Sequence, residues 1–337
     1  MKLTAILLLC CLLFVSAGAS GQAAESPDRT TMVQAFAERI KSLEGFGQPP
    51  IIDVEMHFGR KMDLSALTVK MDRNKIALTW LGPNESMGDE FSLQANRQYP
   101  AYYVPTAIHG DGPLWHGKNM GLLDKLADDV RSGQYFAMGE FEARHYPSDT
   151  NNRDIHQPLT GESFRRVFQL SHETGVPFLI HHEAEDRLLA EMETMLQQYP
   201  QAKVIWCHVG RNRNYSTWSR WQGTKTVRQY LEKYPNLYFD LVQSPPESSP
   251  YGYRQCIIYD VNGSKVSLNR EWRQLFIDFP DRFVLGSDVN GGRWEQYDTV
   301  FTRFRQIVLS DLPQPVAEKL AYKNAWRLMT GQEWEQK

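Results

Sequence analysis

Cysteine is scarce in this sequence of 337 residues. Only four cysteines are present, and two of them, Cys10 and Cys11, stand near the start, so a disulfide framework is excluded as the source of stability. We expect Cys207 and Cys256 to be unpaired thiols rather than one disulfide. A hydrophobic core must therefore hold the fold, and a chain with 42% hydrophobic residues is long enough to bury one.

The chain also lacks an excess of positive charge. It has 37 Lys and Arg against 40 Asp and Glu, so its formal net charge is -3. A protein that binds the phosphate backbone of a nucleic acid needs a basic surplus, and we therefore expect no nucleic-acid partner. The ordinary apolar content and a charged fraction of 23% also exclude a disordered chain.

No long apolar run occurs after residue 15. The run before it, residues 3–15, follows Lys2 and precedes the small residues Ser16-Ala17-Gly18-Ala19. This order is typical of a secretory signal peptide, and we place its cleavage after Ala19. The run is shorter than the roughly 20 residues of a membrane-spanning helix. We therefore expect a secreted or periplasmic protein without a stable membrane anchor.

Short apolar runs alternate with amphipathic stretches through most of the chain. Eight runs have the length and composition of buried strands, at 51–57, 76–81, 102–107, 135–141, 176–181, 204–208, 237–241 and 283–288. Helical patterns separate them, including 121–131, 161–174, 186–199, 225–234 and 270–278. Apolar strands separated by helices indicate a parallel sheet covered on both faces. Eight of them predict an α/β fold, a (β/α)8 TIM barrel.

We divide the chain into three parts on this pattern. Residues 1–19 form the signal peptide, residues 20–50 an N-terminal extension with a helix at 32–43, and residues 51–331 the barrel. An open doubly wound sheet is the structural alternative. It is disfavoured because the first strand is not followed by a glycine-rich phosphate turn.

A small insertion is predicted after strand seven. The apolar segments 256–259 and 265–268 flank the pair Asn262-Gly263. An Asn-Gly pair between two such segments is a strong signal for a β-hairpin. We therefore expect a hairpin between the seventh and eighth barrel strands.

Side chains that can bind metals recur where the predicted strands end. Glu55 and His57 share one face of the first strand, because strand side chains alternate. The fifth, sixth and eighth strands end in His181-His182, His208 and Asp288. The carboxyl ends of the strands meet at one rim of a (β/α)8 barrel. Carboxylates and imidazoles gathered there predict a site for a divalent ion, with Zn2+ preferred.

Several short motifs follow one another in order along the chain. They are Asp53-x-Glu55-x-His57, His181 after an apolar strand, His208 followed by Gly210, Gly286-Ser287-Asp288, and Asn324-Ala325-Trp326-Arg327-Leu328. This ordered set resembles the amidohydrolase superfamily, in its amidohydrolase-related branch. The resemblance covers residues 51–331 and implies a metal-bound (β/α)8 barrel. The sequence departs from the commoner family pattern at Glu55, where a histidine is usual. The resulting E-x-H pattern resembles that of the non-oxidative decarboxylases of the same branch.

The resemblance and the strand ends together imply roles for individual residues. The expected metal ligands are Glu55, His57, His181 and Asp288, with His181 preferred over His182. Asp288 would also take a proton from metal-bound water, and His208 would stabilise developing oxyanion charge.

Four further residues are expected to contact a substrate: His182, Glu140, Arg211 and Arg213. Arginines beside aromatic rings in the loop after strand six would suit a carboxylated or ring-containing substrate, although a solvated basic loop explains them equally well. For Glu140, a salt bridge with Arg144 is the favoured structural role, and bridging a second metal is the alternative.

The leading functional hypothesis is an exported, mononuclear metal-dependent hydrolase of a small ester, lactone or amide. Glu55 motivates the alternative of a metal-dependent non-oxidative decarboxylase acting on an aromatic or related acid. A non-catalytic ligand-binding barrel is the third hypothesis. The sequence allows a homo-oligomer and does not identify the small-molecule substrate.

Overall fold

The computed structural model describes most of the chain after the predicted signal peptide. The described residues are 28–45, 47–83, 87–108, 120–147, 152–211, 223–242 and 257–335. Residues 1–19 and Cys256 lie outside them, and Cys207 is a free, buried thiol. In these ranges, no helix has the length and apolar composition needed to cross a membrane.

Eight parallel strands form the centre of the structure. In chain order the strands are β1 (Ile51–Phe58), β2 (Ile76–Pro83), β3 (Tyr103–Ala107), β4 (Ala137–His145), β5 (Ile155–His156), β6 (Phe178–His182), β7 (Val204–Trp206), β8 (Leu237–Asp240), β9 (Tyr259–Asn262), β10 (Lys265–Leu268) and β11 (Phe283–Val284). They pair in the order β1-β2-β3-β4-β6-β7-β8-β11, and every pair on this path is parallel. The predicted (β/α)8 barrel is confirmed.

The first and last barrel strands meet through the chain that follows β11. The backbone amides of Ser287 and Asp288 donate hydrogen bonds to the carbonyl oxygen of Glu55, at 3.1 and 2.8 Å. The buried carboxylate of Asp53 accepts hydrogen bonds from the Ser287 amide and hydroxyl, each at 2.8 Å. These bonds close the barrel at the rim where β1 ends.

Helices cover the outer face of the barrel. In the described ranges they are α1 (Arg29–Leu43), α2 (Leu64–Asn74), α3 (Glu90–Gln98), α4 (Gly121–Arg131), α5 (Glu162–Thr174), α6 (Asp186–Gln198), α7 (Thr224–Lys233), α8 (Arg270–Asp278), α9 (Tyr297–Arg303), α10 (Gln314–Glu318) and α11 (Asn324–Thr330). The N-terminal extension contains α1, whose first turn is capped because the Asp28 carboxylate accepts hydrogen bonds from the Thr30 and Thr31 amides.

The predicted hairpin follows the seventh barrel strand. Strands β9 and β10 pair antiparallel, with Lys265 opposite Asn262 and Leu268 opposite Tyr259. Gly263 lies in the turn with φ +61°, a left-handed conformation that glycine adopts without strain. The Asn-Gly signal therefore identified this element correctly.

Side-chain alternation determines which residues enter the barrel. On β6, the ring of Phe178 packs against Phe168 of α5 with centroids 4.9 Å apart. Phe178, Ile180 and His182 therefore face the helices, and Leu179 and His181 face the interior. On β7, Trp206 packs against Tyr230 of α7, so the next residue along the strand direction points inward.

Candidate metal centre

Three predicted ligands meet at the mouth of the barrel, together with Glu140. The Nε2 atom of His57 lies 3.8 Å from Glu55 Oε1, 3.4 Å from Asp288 Oδ1 and 3.2 Å from Glu140 Oε2. Each of the four side chains offers one ligand atom, and these atoms all lie within 4.8 Å of one another. We call Glu55, His57, Glu140 and Asp288 the mouth group.

Glu140 also belongs to a second cluster. Its Oε1 lies 2.9 Å from His181 Nδ1 and 3.4 Å from His208 Nε2, and the two imidazole nitrogens are 3.1 Å apart. We call Glu140, His181 and His208 the imidazole group, whose ligand atoms also lie within 4.8 Å of one another. The predicted ligands therefore fall into two adjoining clusters, and Glu140 belongs to both. His208 Nε2 of the imidazole group also lies 3.8 Å from Glu55 Oε1 of the mouth group.

The prediction of a salt bridge between Glu140 and Arg144 is wrong. Arg144 instead lies 3.3 Å from Glu185 through Nε and donates to Asp154 at 2.5 Å through Nη1. The pairing of β4 with β6 shifts register before Phe141 and again before Arg144. These irregularities break the simple alternation of side chains along β4, so Arg144 turns away from the barrel mouth.

The structure distinguishes between the two adjacent histidines. His181 faces the interior and joins the imidazole group. His182 lies on the other face of β6, where its ring is 5.8 Å from the ring of Trp206. Burial, together with the neighbouring His181, lowers the pKa of His182 to about 3, so it is neutral at physiological pH. This placement separates His182 from the position expected for a substrate contact.

Glu55 is a buried acid at the centre of the mouth group. Only 2% of the residue is exposed, and within the described ranges neither carboxylate oxygen has a hydrogen-bond partner. Burial raises the pKa of Glu55 well above its usual value, and the neighbouring carboxylates of Asp240 and Glu140 raise it further. A buried carboxylate in this state requires a proton or a cation. A divalent cation fits the surrounding oxygen and nitrogen donors.

Gly286 leaves the space that Glu55 occupies. A Cβ atom at position 286 would lie 2.8 Å from Glu55 Cβ and 3.0 Å from Val242 Cγ2. Real Cβ atoms do not approach so closely, and Glu55 would have to shift. The glycine of the Gly286-Ser287-Asp288 motif therefore has a packing role beside the candidate site.

Two site residues stand in left-handed turns rather than on strands. Strand β7 ends at Trp206 and β11 at Val284, earlier than the sequence predicted. His208 and Asp288 follow with φ values of 56° and 50°. This conformation is uncommon for residues other than glycine and is often found where function requires it. At β7 the turn allows His208 to reach the cluster directly after the inward-facing Cys207.

An arginine that no sequence pattern indicated lies beside the mouth group. Arg293 donates two hydrogen bonds to Asp288. Although burial opposes ionisation, Arg293 and His57 hold the pKa of Asp288 well below its usual range. Burial likewise disfavours the charged form of His57, yet the carboxylates of the mouth group hold its pKa well above the usual value.

Asp240 was not predicted as a site residue. The sequence did carry a signal for it, because Asp240 ends the apolar strand β8 just as His181 and His208 follow the apolar runs of β6 and β7. Its Oδ1 accepts hydrogen bonds from the amides of His208 at 3.0 Å and Val242 at 2.9 Å, which holds the left-handed turn of His208 in place. Arg211 is buried directly after this turn, and Arg213 lies outside the described residues.

The fold and these clusters define a (β/α)8 barrel with a metal-competent site at the carboxyl ends of its strands. The sequence model of the amidohydrolase family matches residues 128–329, and the chain belongs to that family. Members of the amidohydrolase superfamily are metal-dependent enzymes that include hydrolases and decarboxylases.

Solved structures share the architecture at low sequence identity. A 2,6-dihydroxybenzoate decarboxylase from Rhizobium is 13% identical, with a TM-score of 0.50 over 83% of this chain and 98% of the other. A probable 2-pyrone-4,6-dicarboxylic acid hydrolase from Acinetobacter baumannii is 14% identical, with a TM-score of 0.50 and the same coverage. A dihydroorotase from Campylobacter jejuni is 10% identical, with a TM-score of 0.50 over 85% of each chain.

At these identities the likeness shows the fold alone. No curated protein sequence matches the chain.

Proposed function

We propose that the chain is a metal-dependent hydrolase of a small ester, lactone or amide. The observation that carries this proposal is the mouth group, in which the buried carboxylate of Glu55 stands beside His57, Glu140 and Asp288 without a hydrogen-bond partner among the described residues. Carboxylate and imidazole donors within 4.8 Å suit Zn2+ or another divalent transition ion. Family membership supports a metal-dependent enzyme and leaves the reaction open.

A bound divalent ion would supply a Lewis acid that polarises a substrate carbonyl and makes nearby water more acidic. In our proposal the Asp288 carboxylate accepts the proton of the attacking water, and Arg293 keeps that carboxylate in one orientation. His208 donates a hydrogen bond to the oxygen that gains charge. Glu140 Oε1 lies 3.4 Å from His208 Nε2 and helps to hold the imidazole at the site.

The mouth group is the proposed site of one ion. Glu140 joins it to the imidazole group, and a second ion held by Glu140, His181 and His208 is the alternative that metal analysis would reveal. In a two-ion site Glu140 would be shared between the ions, which is the alternative role predicted for it from the sequence.

One observation favours a decarboxylase as the second candidate. Glu55 stands where the family more commonly has histidine, and the E-x-H pattern resembles its decarboxylases. A 2,6-dihydroxybenzoate decarboxylase shares the fold. In that reaction Asp288 would deliver a proton to carbon rather than accept one from water.

Metal content and product analysis test the proposal together. We expect a stoichiometric divalent ion in the purified protein, lost in His57→Ala and Asp288→Asn. It should be kept in His172→Ala, because His172 lies on α5 away from the mouth. The metal-loaded protein should hydrolyse members of a lactone, ester and amide panel. Release of carbon dioxide from hydroxybenzoates without hydrolysis would establish the decarboxylase instead, and absence of an ion in every preparation would support a binding protein.

The proposed enzyme is exported. Residues 2–19 support this proposal through their cationic start, apolar run and small-residue site. N-terminal sequencing of the protein from a periplasmic or secreted fraction should begin at Ser20. Recovery of the chain with Met1 in the cytoplasm would contradict export.

A further inference from the structure

A third cluster of candidate ligands lies deeper in the barrel than the mouth group. Glu55, Cys207 and Asp240 each offer one ligand atom, and these atoms all lie within 4.8 Å of one another. Cys207 is 1% exposed and Asp240 is 0% exposed, whereas the side chains of His57 and Asp288 at the mouth are 16% and 17% exposed. We call these three residues the inner group.

The carboxylates of the inner group have oxygens that a bound cation would satisfy. Both oxygens of Glu55 and the Oδ2 atom of Asp240 are buried and have no hydrogen-bond partner in the described part of the chain. Asp240 cannot turn to satisfy Oδ2, because its Oδ1 already holds the amides of His208 and Val242. Buried carboxylate oxygens without partners are costly unless a cation or a proton neutralises them.

Cys207 brings a sulfur atom to the same place. Trp206, the last residue of β7, packs outward against α7, so Cys207 faces the barrel interior. The thiol lies 3.9 Å from the carbonyl oxygen of Ile205, which is a weak contact. Burial and the neighbouring carboxylates of Glu55 and Asp240 raise the pKa of the thiol, so an ion would have to displace its proton before the sulfur could bind as a thiolate. A single buried cysteine is usually an ordinary core residue. Cys207 instead lies beside two acids that have buried oxygens without a hydrogen-bond partner among the described residues.

We propose that Glu55, Cys207 and Asp240 form a second cation site, which shares Glu55 with the mouth group and is suited to thiophilic divalent ions such as Zn2+, Co2+ or Cd2+. Zinc–sulfur bonds of about 2.3 Å and zinc–oxygen bonds of about 2.0–2.2 Å place the ligand atoms of one tetrahedral ion about 3.3–3.7 Å apart. The ligand atoms of the inner group lie within 4.8 Å of one another and would move closer together around an ion. Its sulfur ligand disfavours Mg2+ and Ca2+, which prefer oxygen.

The inner site would connect to the mouth through two residues. Glu55 belongs to both groups, and its two oxygens allow one carboxylate to serve an ion on each side. Asp240 holds the turn that places His208, so an ion on Asp240 would also stiffen that turn. The site itself does not depend on the reaction proposed above.

Cobalt substitution tests the site directly. A Co2+–thiolate bond gives an intense sulfur-to-metal charge-transfer band in the near ultraviolet, and oxygen and nitrogen ligands do not give this band. We expect the band in the Co2+-loaded full chain and in the control variant Cys256→Ser. Cys207→Ser should lose the band together with one equivalent of cobalt. Absence of the band from the Co2+-loaded wild-type chain, or its persistence in Cys207→Ser, would overturn the proposal.

Two further variants distinguish loss of the inner site from loss of the mouth group and from misfolding of the chain. His57→Ala should empty the mouth group and keep the thiolate band, so the inner site can be found even if the proposed hydrolase activity fails. Asp240→Asn keeps the thiol and should weaken Co2+ binding at the thiolate site by about tenfold or more, measured against a chelator. Unchanged affinity in Asp240→Asn, with a native circular dichroism spectrum, would show that the inner group is not the site.

Discussion

Arg293 holds Asp288 with both of its terminal nitrogens, Nη1 donating to Oδ2 at 2.9 Å and Nη2 to Oδ1 at 2.6 Å. Oδ1 is also 3.4 Å from His57 Nε2. A carboxylate bound at both oxygens by a planar guanidinium has one orientation, and the bidentate geometry is stronger than a single contact. Arg293 is therefore the residue that positions the proposed proton acceptor.

Replacing Arg293 should change the pH dependence of the reaction. The guanidinium keeps the pKa of Asp288 low, so Arg293→Gln should raise that pKa. A base works only when it is deprotonated, and the acid limb of the kcat/KM profile should therefore move to higher pH. We also expect kcat to fall by about tenfold to a hundredfold because the carboxylate loses its orientation.

The matched control for Arg293 is Arg270→Gln, which changes an exposed arginine at the start of α8. Its pH profile should match that of the wild type. An acid limb that stays in place, or moves to lower pH, in Arg293→Gln would contradict the role assigned to Arg293. Partial recovery in Arg293→Lys would support a role of charge in addition to geometry.

Gly286→Ala should release metal without unfolding the barrel. The new methyl group would meet Glu55 Cβ at 2.8 Å and push that side chain out of the mouth group. Overpacking of this kind costs about 1–3 kcal/mol, less than the stability of most domains. Metal analysis and thermal unfolding should show a folded protein with reduced metal content.

The control for this change is Gly223→Ala, because a Cβ at position 223 meets no atom within 4 Å and its φ is −121°. Its metal content and unfolding temperature should remain close to the wild type. Full metal content in Gly286→Ala would show that Glu55 tolerates the methyl group.

Gly139→Ala should destabilise the protein severely. Gly139 has φ +89°, and an added Cβ would lie 2.5 Å from the backbone carbonyl of Leu179 on the neighbouring strand β6. A backbone atom cannot move aside as a flexible side chain can, so we expect a loss of about 3 kcal/mol or more in the free energy of unfolding.

Gly133→Ala distinguishes the cost of a positive φ from the cost of the steric contact with Leu179. Gly133 also has a positive φ, +78°, but a Cβ there meets nothing within 4 Å. It should therefore cost only about 1–2 kcal/mol for the left-handed conformation. Urea unfolding of both variants measures the difference, and equal losses would mean that the contact with Leu179 does not matter.

Ser287→Ala should weaken the closure of the barrel. The Ser287 hydroxyl donates to the fully buried Asp53 at 2.8 Å, and its removal leaves that carboxylate oxygen short of a partner. Leaving a buried acceptor without its donor costs about 1–3 kcal/mol. Ser42→Ala removes an exposed hydroxyl from the last turn of α1 and should change the free energy of unfolding by less than about 0.5 kcal/mol. Similar values for the two variants would contradict a closing role for Ser287.

The architecture could be predicted because its signals are local. Eight apolar runs of strand length, with amphipathic stretches between them, predicted eight buried parallel strands. All eight are present. Alternation along the first strand placed Glu55 and His57 on one face, and the structure brings both into the mouth group. The hairpin followed from Asn262-Gly263 because the turn conformation depends on those two residues themselves.

The composition of the site could not be predicted in the same way. Glu140 meets His57, His181 and His208, which come from three other segments, so its central position depends on how β1, β4, β6 and β7 are arranged around the barrel. Arg293 reaches Asp288 only because the chain turns back after β11. The sequence by itself determined the barrel and the face on which its ligands stand, since these depend on residue spacing along one strand. Only the tertiary structure decided which of these side chains lie close enough to share a cation, because that depends on distances between strands far apart in the chain.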